Sequence, residues 1–446
     1  MPKSSQVYSC ANCQAQYPKW VGRCSECGKW GTVGTEPQTV EKSKAVDLPS
    51  VTPVALSAVA KTGPRIFTKI DEFDRVTAGL VAGSVVLLSG DPGIGKSTLV
   101  LQLADKLQQP VLYASGEEAA EQVAERLQRL GLKQNNISFI NESVVETVIG
   151  TAVKTKPILL IVDSVQTLVS REQTSGPGSP SQVKTVTAKL IEAAKANKIT
   201  TLLIGHVTKG GEVAGPKTLE HLVDAVLNLE GERGGVLRIL RSTKNRFGSS
   251  EEVGFFQMAE QGMVEVANPS AILLSSRHSG PGSCITAIQQ GSRSLLIEVQ
   301  ALAAWTRFGY PKRTAAGFDT NRLQLLIAVL SEKAGIKLSS SDVYVNLVGG
   351  IKSREPSLDL AVSLSMVSAY RKKPVPADTL VVGEIGLAGE IRPIKDLSRH
   401  LKQAHNLGFK QILTAPVSDL NRQDFGLQVA EISNISQVVK WLDDQL

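Results

Sequence analysis

The stretch that decides the fold is SVVLLSGDPGIGKST, residues 84–98. Its first half is an apolar run that predicts a buried strand, and KST opens a helix with apolar periodicity. Between them lies GDPGIGKST, residues 90–98, which has the glycine and lysine spacing of a phosphate-binding loop in the required strand and helix context. The stretch therefore predicts a nucleotide-binding α/β domain.

The residue types of this loop suit a nucleoside triphosphate with Mg²⁺. Its glycines let the backbone curl so that successive N–H groups face the phosphates. Lys96 can reach the β- and γ-phosphates, and Ser97 can hold Mg²⁺. The predicted nucleotide-binding residues are Gly90, Asp91, Pro92, Gly93, Ile94, Gly95, Lys96, Ser97 and Thr98.

Acidic residues follow two further apolar strands. In PILLIVDS, residues 157–164, the apolar run ends at Asp163, which can hold Mg²⁺ through water or can be a turn former. The phosphate-binding loop upstream favours the metal role. YASGEE, residues 113–118, places Glu117 and Glu118 beyond another strand end, as a general base or as charges at a helix start. We prefer Glu117 as the base.

Three other segments of this region are candidates for contacts. His206, at the end of TTLLIGH, either senses the γ-phosphate or packs at a strand end. The stretches 171–181 and 208–217 are flexible in composition. In RSTKNRFGSSEE, residues 241–252, basic side chains beside Phe247 suit a phosphate in a neighbouring subunit, a DNA backbone, or an ordinary exposed hairpin.

The amino-terminal segment predicts a zinc site. Four of the five cysteines of the chain lie within its first 27 residues, in a C-x2-C-x10-C-x2-C pattern. Two such pairs can converge on one tetrahedral Zn²⁺, and four thiolates leave no open position, so the site is structural. We expect Trp20 and Trp30 to shield this small fold, and Cys284 to be a small buried residue. The predicted ligands are Cys10, Cys13, Cys24 and Cys27.

Composition and pattern divide the 446 residues into several domains. The formal charge of +7 arises from 49 basic and 42 acidic residues, a mild excess that identifies no partner alone. The absence of a long apolar run and the polar start predict a cytoplasmic protein that is not in a membrane. The predicted segments are the zinc finger 1–33, a flexible linker 34–64, an α/β ATPase domain with a parallel sheet 65–268, and an α+β domain 269–446.

The α+β domain is predicted from a change in the order of elements. Three apolar stretches, AILLSSR (271–277), SCITAIQQ (283–290) and SLLIEVQALAA (294–304), predict consecutive strands. They precede NRLQLLIAVLSEKAG (321–335), which has the periodicity of a helix. Consecutive strands followed by a helix favour a separate domain rather than a continuation of the parallel sheet.

Taken together, these motifs resemble the RadA (Sms) family of bacterial DNA repair proteins. The resemblance covers the whole chain in the right order, and KNRFG, residues 244–248, is its most family-specific element. It implies a RecA-type ATPase core preceded by the zinc domain and followed by a domain that resembles the Lon protease domain. It also implies a hexameric, DNA-dependent motor that drives branch migration on single-stranded and branched DNA, in recombinational repair alongside RecA.

The resemblance also implies roles for particular residues. Lys96 and Ser97 would bind MgATP, Glu117 would be the catalytic glutamate, and Asp163 would be the Walker B acid. Lys244 and Arg246 would couple ATP at a subunit interface to DNA binding. The stretches 171–181 and 208–217 would face DNA in the lumen of a ring.

The C-terminal domain raises the alternative of an ATP-dependent serine protease of Lon type. In REPSLDLAV, residues 354–362, Ser357 falls at the nucleophile position, but His400 stands where the family has its lysine. Acids at positions 355 and 359 replace the flanking glycines and oppose a developing oxyanion. We therefore expect Ser357 to cap a helix and the domain to be proteolytically inactive. A third hypothesis is a signalling ATPase that phosphorylates itself.

Overall fold

The structure is a computed structural model that divides into two compact units, Met1–Thr62 and Gly63–Leu446. In the first unit, β1 (Ser5–Ser9) pairs in antiparallel fashion with β2 (Gln16–Tyr17) and β3 (Gln38–Val40). Most of the predicted linker, residues 41–63, lies outside the described residues. The structure describes residues 5–36, 38–40, 64–133, 135–206, 219–231, 235–277, 279–306, 309–417 and 426–445.

The second unit contains two large sheets. The first has the strand order β14-β13-β12-β11-β6-β10-β9-β7-β8, and the second has the order β17-β18-β16-β15-β19-β22-β23. The strands are β4 (Arg65–Ile66), β5 (Leu80–Val81), β6 (Val85–Gly90), β7 (Val111–Ser115), β8 (Ile137–Asn141), β9 (Leu159–Asp163), β10 (Thr200–Ile204), β11 (Ala225–Glu230), β12 (Arg238–Asn245), β13 (Val253–Ala259), β14 (Gly262–Glu265), β15 (Ser283–Gln290), β16 (Arg293–Trp305), β17 (Arg313–Ala316), β18 (Ser341–Leu347), β19 (Thr379–Val381), β20 (Glu384–Ile385), β21 (Ile391–Arg392), β22 (Gln411–Thr414) and β23 (Gln428–Glu431).

Helices cover these sheets. Among the described residues, none of the helices is both long and apolar enough to cross a bilayer. The helices are α1 (Asp71–Thr77), α2 (Lys96–Leu107), α3 (Ala120–Arg129), α4 (Val145–Thr155), α5 (Pro180–Asn197), α6 (Pro269–Leu274), α7 (Thr320–Ala334), α8 (Asp359–Arg371), α9 (Leu397–Asn406) and α10 (Ile435–Asp444).

The first sheet is parallel from β11 through β8. Its central strand β6 is buried along its whole length because helices pack on both faces. Successive side chains of a strand point to opposite faces. Accordingly, Val86 and Leu88 lie in the core cluster that contains α2, whereas Val85 and Leu87 lie in the cluster that contains α5. The carboxyl ends of the parallel strands meet at one edge, where α2 begins.

The second sheet contains the predicted consecutive strands β15 and β16, but one predicted strand is a helix instead. The prediction of a strand in AILLSSR is wrong, because residues 269–274 form α6. Asn268 caps this helix by accepting a hydrogen bond from the N–H of Ala271, and Pro269 occupies its first turn. This start signal outweighs the β-propensity of the apolar residues that follow. The division of the unit at residue 268 stays a prediction.

A buried ion pair joins the two sheets of this unit. The carboxylate of Glu72 in α1 accepts a hydrogen bond from Arg293 at the start of β16, at 2.7 Å, and another from the N–H of Phe255 in β13. The Arg293 guanidinium also lies 4.9 Å from the centre of the Phe255 ring and donates to the carbonyl of Ala267. Only 4% of the Glu72 side chain is exposed, so the pair is largely shielded from water.

We predict that Glu72→Ala destabilises the unit by about 3–5 kcal/mol, because it leaves the buried charge of Arg293 and the Phe255 N–H without their partner. The measurement is the free energy of unfolding in urea, followed by circular dichroism. Asp378→Ala is the control, because Asp378 forms an exposed pair with Lys410, and such pairs contribute about 0–1 kcal/mol. Equal losses in the two variants would contradict the prediction.

Candidate active site

The phosphate-binding loop connects β6 to α2 and requires glycine at specific points. At Gly90 the backbone has a φ of 149°, and a Cβ would lie 2.4 Å from the carbonyl oxygen of Leu229 in β11. At Gly95 the φ is 114°, and a Cβ would lie 2.7 Å from Cε of Met258. A side chain at Gly90 would push the loop away from β11, whereas one at Gly95 would be strained by the positive φ and would displace the end of the Met258 side chain. Close packing of the loop therefore fixes where its N–H groups point.

Lys96 is buried and folds over the loop. Its Nζ donates hydrogen bonds to the carbonyl oxygens of Gly90, at 2.9 Å, and Asp91, at 3.1 Å. Burial lowers the pKa of Lys96, while the charges of Asp163, Asp91 and Glu117 act in the opposite direction. These carboxylates keep a cation at the mouth of the loop, where it can exchange carbonyl partners for phosphate oxygens.

Asp163, at the end of β9, accepts two hydrogen bonds on one oxygen. Oδ2 accepts from Oγ of Ser97 at 2.7 Å and from the hydroxyl of Tyr113 at 2.6 Å. Because Ser97 directs its proton to Asp163, the lone pairs of its oxygen remain available to a cation. Hard oxygen ligands of this kind suit Mg²⁺, so Ser97 and Asp163 fit the predicted ion. When bound, Mg²⁺ neutralises charge on the β- and γ-phosphates.

The structure gives the two glutamates of YASGEE different surroundings. Glu118 forms a two-pronged ion pair with Arg126, with nitrogen to oxygen distances of 2.5 and 2.8 Å. Glu117 accepts a hydrogen bond from Oγ of Ser164, at 2.9 Å, directly after Asp163. Its charge also acts on Lys96. Glu117 thus lies with the nucleotide residues, whereas Glu118 is held by α3.

His206 lies at the same edge of the sheet. Burial lowers its pKa, and the charge of Lys96 lowers it further, against the opposing charges of Glu117 and Asp163. Its Nδ1 is buried and has no hydrogen-bond partner among the described residues. The ring therefore lies within this charged group, and its two predicted roles stay predictions. The stretch 208–217, predicted to follow it as a loop, lies outside the described residues.

Lys244 and Arg246 are not brought to this edge. Arg246 pairs with Asp224, at 3.3 Å, and Asp224 accepts a hydrogen bond from the N–H of Val85, the first residue of β6. The phosphate-binding loop begins at the other end of β6, about 17 Å away for a strand of this length. Lys244 and Arg246 therefore lie at the opposite edge of the sheet from the nucleotide residues of the same chain.

Lys244 is bound to backbone at this opposite edge. Its Nζ donates to the carbonyl oxygens of Glu220, at 2.7 Å, and Val223, at 2.8 Å. Both residues lie just after the stretch 207–218, which is outside the described residues. Arg246 is more open, with 52% of its side chain exposed. Lys244 thus anchors a turn, while the Arg246 guanidinium faces solvent.

The four N-terminal cysteines converge as predicted. Their ligand atoms all lie within 4.8 Å of one another, with Sγ distances of 3.8 Å between Cys10 and Cys27 and 3.4 Å between Cys13 and Cys24. A tetrahedral site with Zn–S bonds of about 2.3 Å places its sulfurs about 3.8 Å apart. A hydrogen bond with Thr32 lowers the pKa of Cys10 to about 6.

The aromatic shield of this segment was not predicted correctly. Trp30 is 75% exposed and Trp20 is 50% exposed. The residues that pack against Cys10 and Cys24 are instead Val33 and partly buried neighbours such as Tyr17. The fifth cysteine, Cys284, is buried in the core of the second sheet as expected, and burial raises its pKa.

The serine and histidine of the protease alternative do not meet. Oγ of Ser357 donates to Glu355 at 3.4 Å, whereas Nδ1 of His400 pairs with Oγ of Ser294 at 2.7 Å. The predicted cap is also wrong, because α8 begins after Leu358 without a side-chain cap. Its first residue, Asp359, is buried and paired with Arg322. The dyad geometry of a serine protease is therefore absent at Ser357.

Sequence reasoning missed Tyr113. It lies within YASGEE on β7, is fully buried, and stacks on Phe139 with 6.1 Å between ring centroids. Burial raises its pKa well above the ordinary value, and the charge of Asp163 adds to this effect. A tyrosine within an otherwise apolar strand is the available signal, because a buried hydroxyl needs a partner.

Comparison with known families supports these sites. Residues 64–212 match a family described as an AAA domain, and residues 8–34 match a rubredoxin metal binding domain. Residues 311–418 match a family described as subunit ChlI of Mg-chelatase. The first two matches coincide with the phosphate-binding loop and the cysteine cluster. The cofactors are therefore ATP with Mg²⁺ and a structural Zn²⁺.

Similar proteins cover almost the whole chain. It is 41% identical to the DNA repair protein RadA of Bacillus subtilis, over 99% of both chains. It is also 41% identical to the RadA of Pseudomonas aeruginosa, over 98% of this chain and 99% of that one. Among solved structures, the RadB recombinase has a TM-score of 0.37 at 21% identity, covering 45% of this chain and 99% of that one.

We predict that Cys27→Ala releases zinc and unfolds only the N-terminal segment, because three thiolates cannot close the tetrahedron. The measurement is zinc content by atomic absorption after gel filtration. Cys284→Ala is the matched control, since Cys284 lies outside the cluster, and it should keep one equivalent. A full equivalent of zinc in Cys27→Ala would show that the four-thiolate assignment is wrong.

Proposed function

The chain belongs to the RadA family of DNA repair proteins, and from this premise we propose that it is a cytoplasmic, DNA-dependent ATPase that drives branch migration of recombination intermediates. The observation that carries the proposal is the placement of its charged residues at two opposite edges of one sheet. Lys96, Ser97, Asp163 and Glu117 lie at one edge, and Arg246 lies at the other. Such a chain needs a neighbour to complete its nucleotide site.

At the nucleotide edge, each residue has a separate task in the proposed hydrolysis. The amine of Lys96 leaves the carbonyls of the loop and binds the β- and γ-phosphates. Ser97 and Asp163 would hold the metal ion, which would neutralise charge on the phosphates. Glu117, kept in place by Ser164, accepts the proton of the attacking water.

At the opposite edge, we assign the trans-acting cation to Arg246. Its exposed guanidinium can reach the γ-phosphate in an adjacent subunit, where a cation stabilises the charge of the transition state. Lys244 would transmit the presence of that γ-phosphate to the stretch 208–217, because its amine binds backbone carbonyls shortly after the stretch. We propose that this stretch and the loop 171–181 face single-stranded and branched DNA.

This arrangement favours a head-to-tail assembly, and we propose a homo-hexameric ring that acts alongside RecA. The interface is heterologous, since one edge of the sheet faces the opposite edge of the next subunit. A heterologous interface repeated by rotation forms a ring when the rotation closes and a helical filament when it does not, and we propose that it closes after six subunits. We further propose that the C-terminal domain is a proteolytically inactive scaffold, which the separation of Ser357 from His400 supports.

The proposal is tested by ATP turnover with and without single-stranded DNA, and by branch migration on a joint molecule made by RecA. We expect DNA to stimulate turnover and the joint molecule to be resolved only with ATP. The negative control is Lys96→Ala, which lacks the amine that binds phosphate. Turnover without DNA stimulation or migration would overturn the proposal and favour a signalling ATPase.

We predict that Glu117→Gln lowers the ATP turnover number by about 100-fold or more while ATP binding persists, because an amide cannot accept the proton of water. Turnover and binding of a fluorescent ATP analogue are the two measurements. Glu118→Gln is the matched control and should keep most of the turnover, since Glu118 pairs with Arg126. The reverse ranking of the two variants would transfer the base to Glu118.

We predict that Arg246→Ala binds ATP but loses about 1,000-fold in DNA-stimulated turnover, the effect of removing a cation that acts in trans. Co-expression with Lys96→Ala provides the decisive measurement. In mixed rings, some interfaces combine an intact loop with an intact Arg246, so two inactive variants together should regain turnover. Absence of recovery in rings shown to be mixed would contradict action in trans.

A further inference from the structure

The buried hydroxyl of Tyr113 lies in the metal-binding part of the site rather than in the apolar core alone. Tyr113 belongs to β7, which pairs with β9, the strand that ends in Asp163. Its ring is fixed by stacking on Phe139 and by burial on all sides. The hydroxyl therefore has one defined position, 2.6 Å from Oδ2 of Asp163.

The two donors on Oδ2 determine how the carboxylate of Asp163 is turned. A carboxylate oxygen has about two lone-pair sites, and Ser97 and Tyr113 use both on Oδ2. They approach from different elements, because Ser97 belongs to α2 and Tyr113 to β7. The other oxygen, Oδ1, is left for the water shell of a metal ion. With one donor removed, the carboxylate could rotate about its terminal bond, which has no strong preference of its own.

We propose that Tyr113 is a positioning residue that holds the Asp163 carboxylate in the orientation that Mg²⁺ requires. This inference rests on the proposed ATPase function. It states that Tyr113 sets how strongly nucleotide binding depends on Mg²⁺. Partners that orient a metal-binding side chain commonly change metal affinity or activity 10- to 100-fold when they are removed. A purely structural tyrosine would instead affect the folded chain equally with and without metal.

The test uses the full-length chain and the variant Tyr113→Phe, which keeps the ring and its stacking on Phe139. Binding of fluorescent ADP is titrated at increasing Mg²⁺ concentration. We expect the half-saturating Mg²⁺ concentration to rise about tenfold or more, while ADP affinity without metal stays at the wild-type value. The thermal unfolding midpoint without nucleotide is measured in parallel.

Tyr344→Phe is the matched control, because it removes the same atom from a partly exposed tyrosine of the second sheet. It should leave the Mg²⁺ dependence unchanged. If wild type and Tyr113→Phe share one half-saturating concentration, the inference is overturned and the proposed function stands. If the wild-type chain binds ADP with no Mg²⁺ dependence, the inference is overturned, and the proposed function is decided by the turnover and migration measurements above. A change of equal size with and without metal would assign Tyr113 a structural role and overturn the inference.

Discussion

One carboxylate oxygen, Oδ2 of Asp163, connects the elements on which the site depends. It accepts hydrogen bonds from Ser97 at the start of α2 and from Tyr113 in the middle of β7. Ser164, the next residue along the chain, holds Glu117. The candidate phosphate-binding loop, the proposed metal ligands and the candidate base are thus fixed to one another by short contacts. Preorganisation of this kind lowers the cost of orienting charges during the reaction.

The charges of the site are incomplete without a ligand. Lys96 is surrounded by Asp163, Asp91 and Glu117, so negative charge exceeds positive charge around it. Burial disfavours the charged form of the Lys96 amine. Hydrogen bonds to carbonyl oxygens of the loop offset this cost. A divalent cation corrects the excess of negative charge, and phosphates offer the amine stronger partners than carbonyls do. The Lys96 amine can therefore bind loop carbonyls in the free chain and phosphate oxygens in the nucleotide complex.

Local patterns predicted most elements, but not the contacts among the candidate site residues. The α2 helix begins at Lys96 as predicted, since loop spacing and periodicity agree there. His400 stands at the lysine position of a family motif, yet its ring binds Ser294 rather than Ser357, because a motif position does not fix which strand a buried histidine meets. Nor could the sequence separate Glu117 from Glu118, because only the packing of α3 places Arg126 beside one of them.

Arg246 directly follows β12, and contacts at two points fix this strand in place. Near its middle, Arg241 donates hydrogen bonds to Glu230 on β11 and to Gln290 at the tip of the β15–β16 hairpin. At its end, Lys244 binds the turn after the undescribed stretch 207–218. Since β12 contacts the second sheet, that turn and a candidate interface cation, a shift at any one of these points strains the other two. Rigid strands transmit such shifts because close-packed cores do not deform continuously. Within the described residues, β12 is therefore the strand that connects the second sheet, that turn and the chain segment of Arg246.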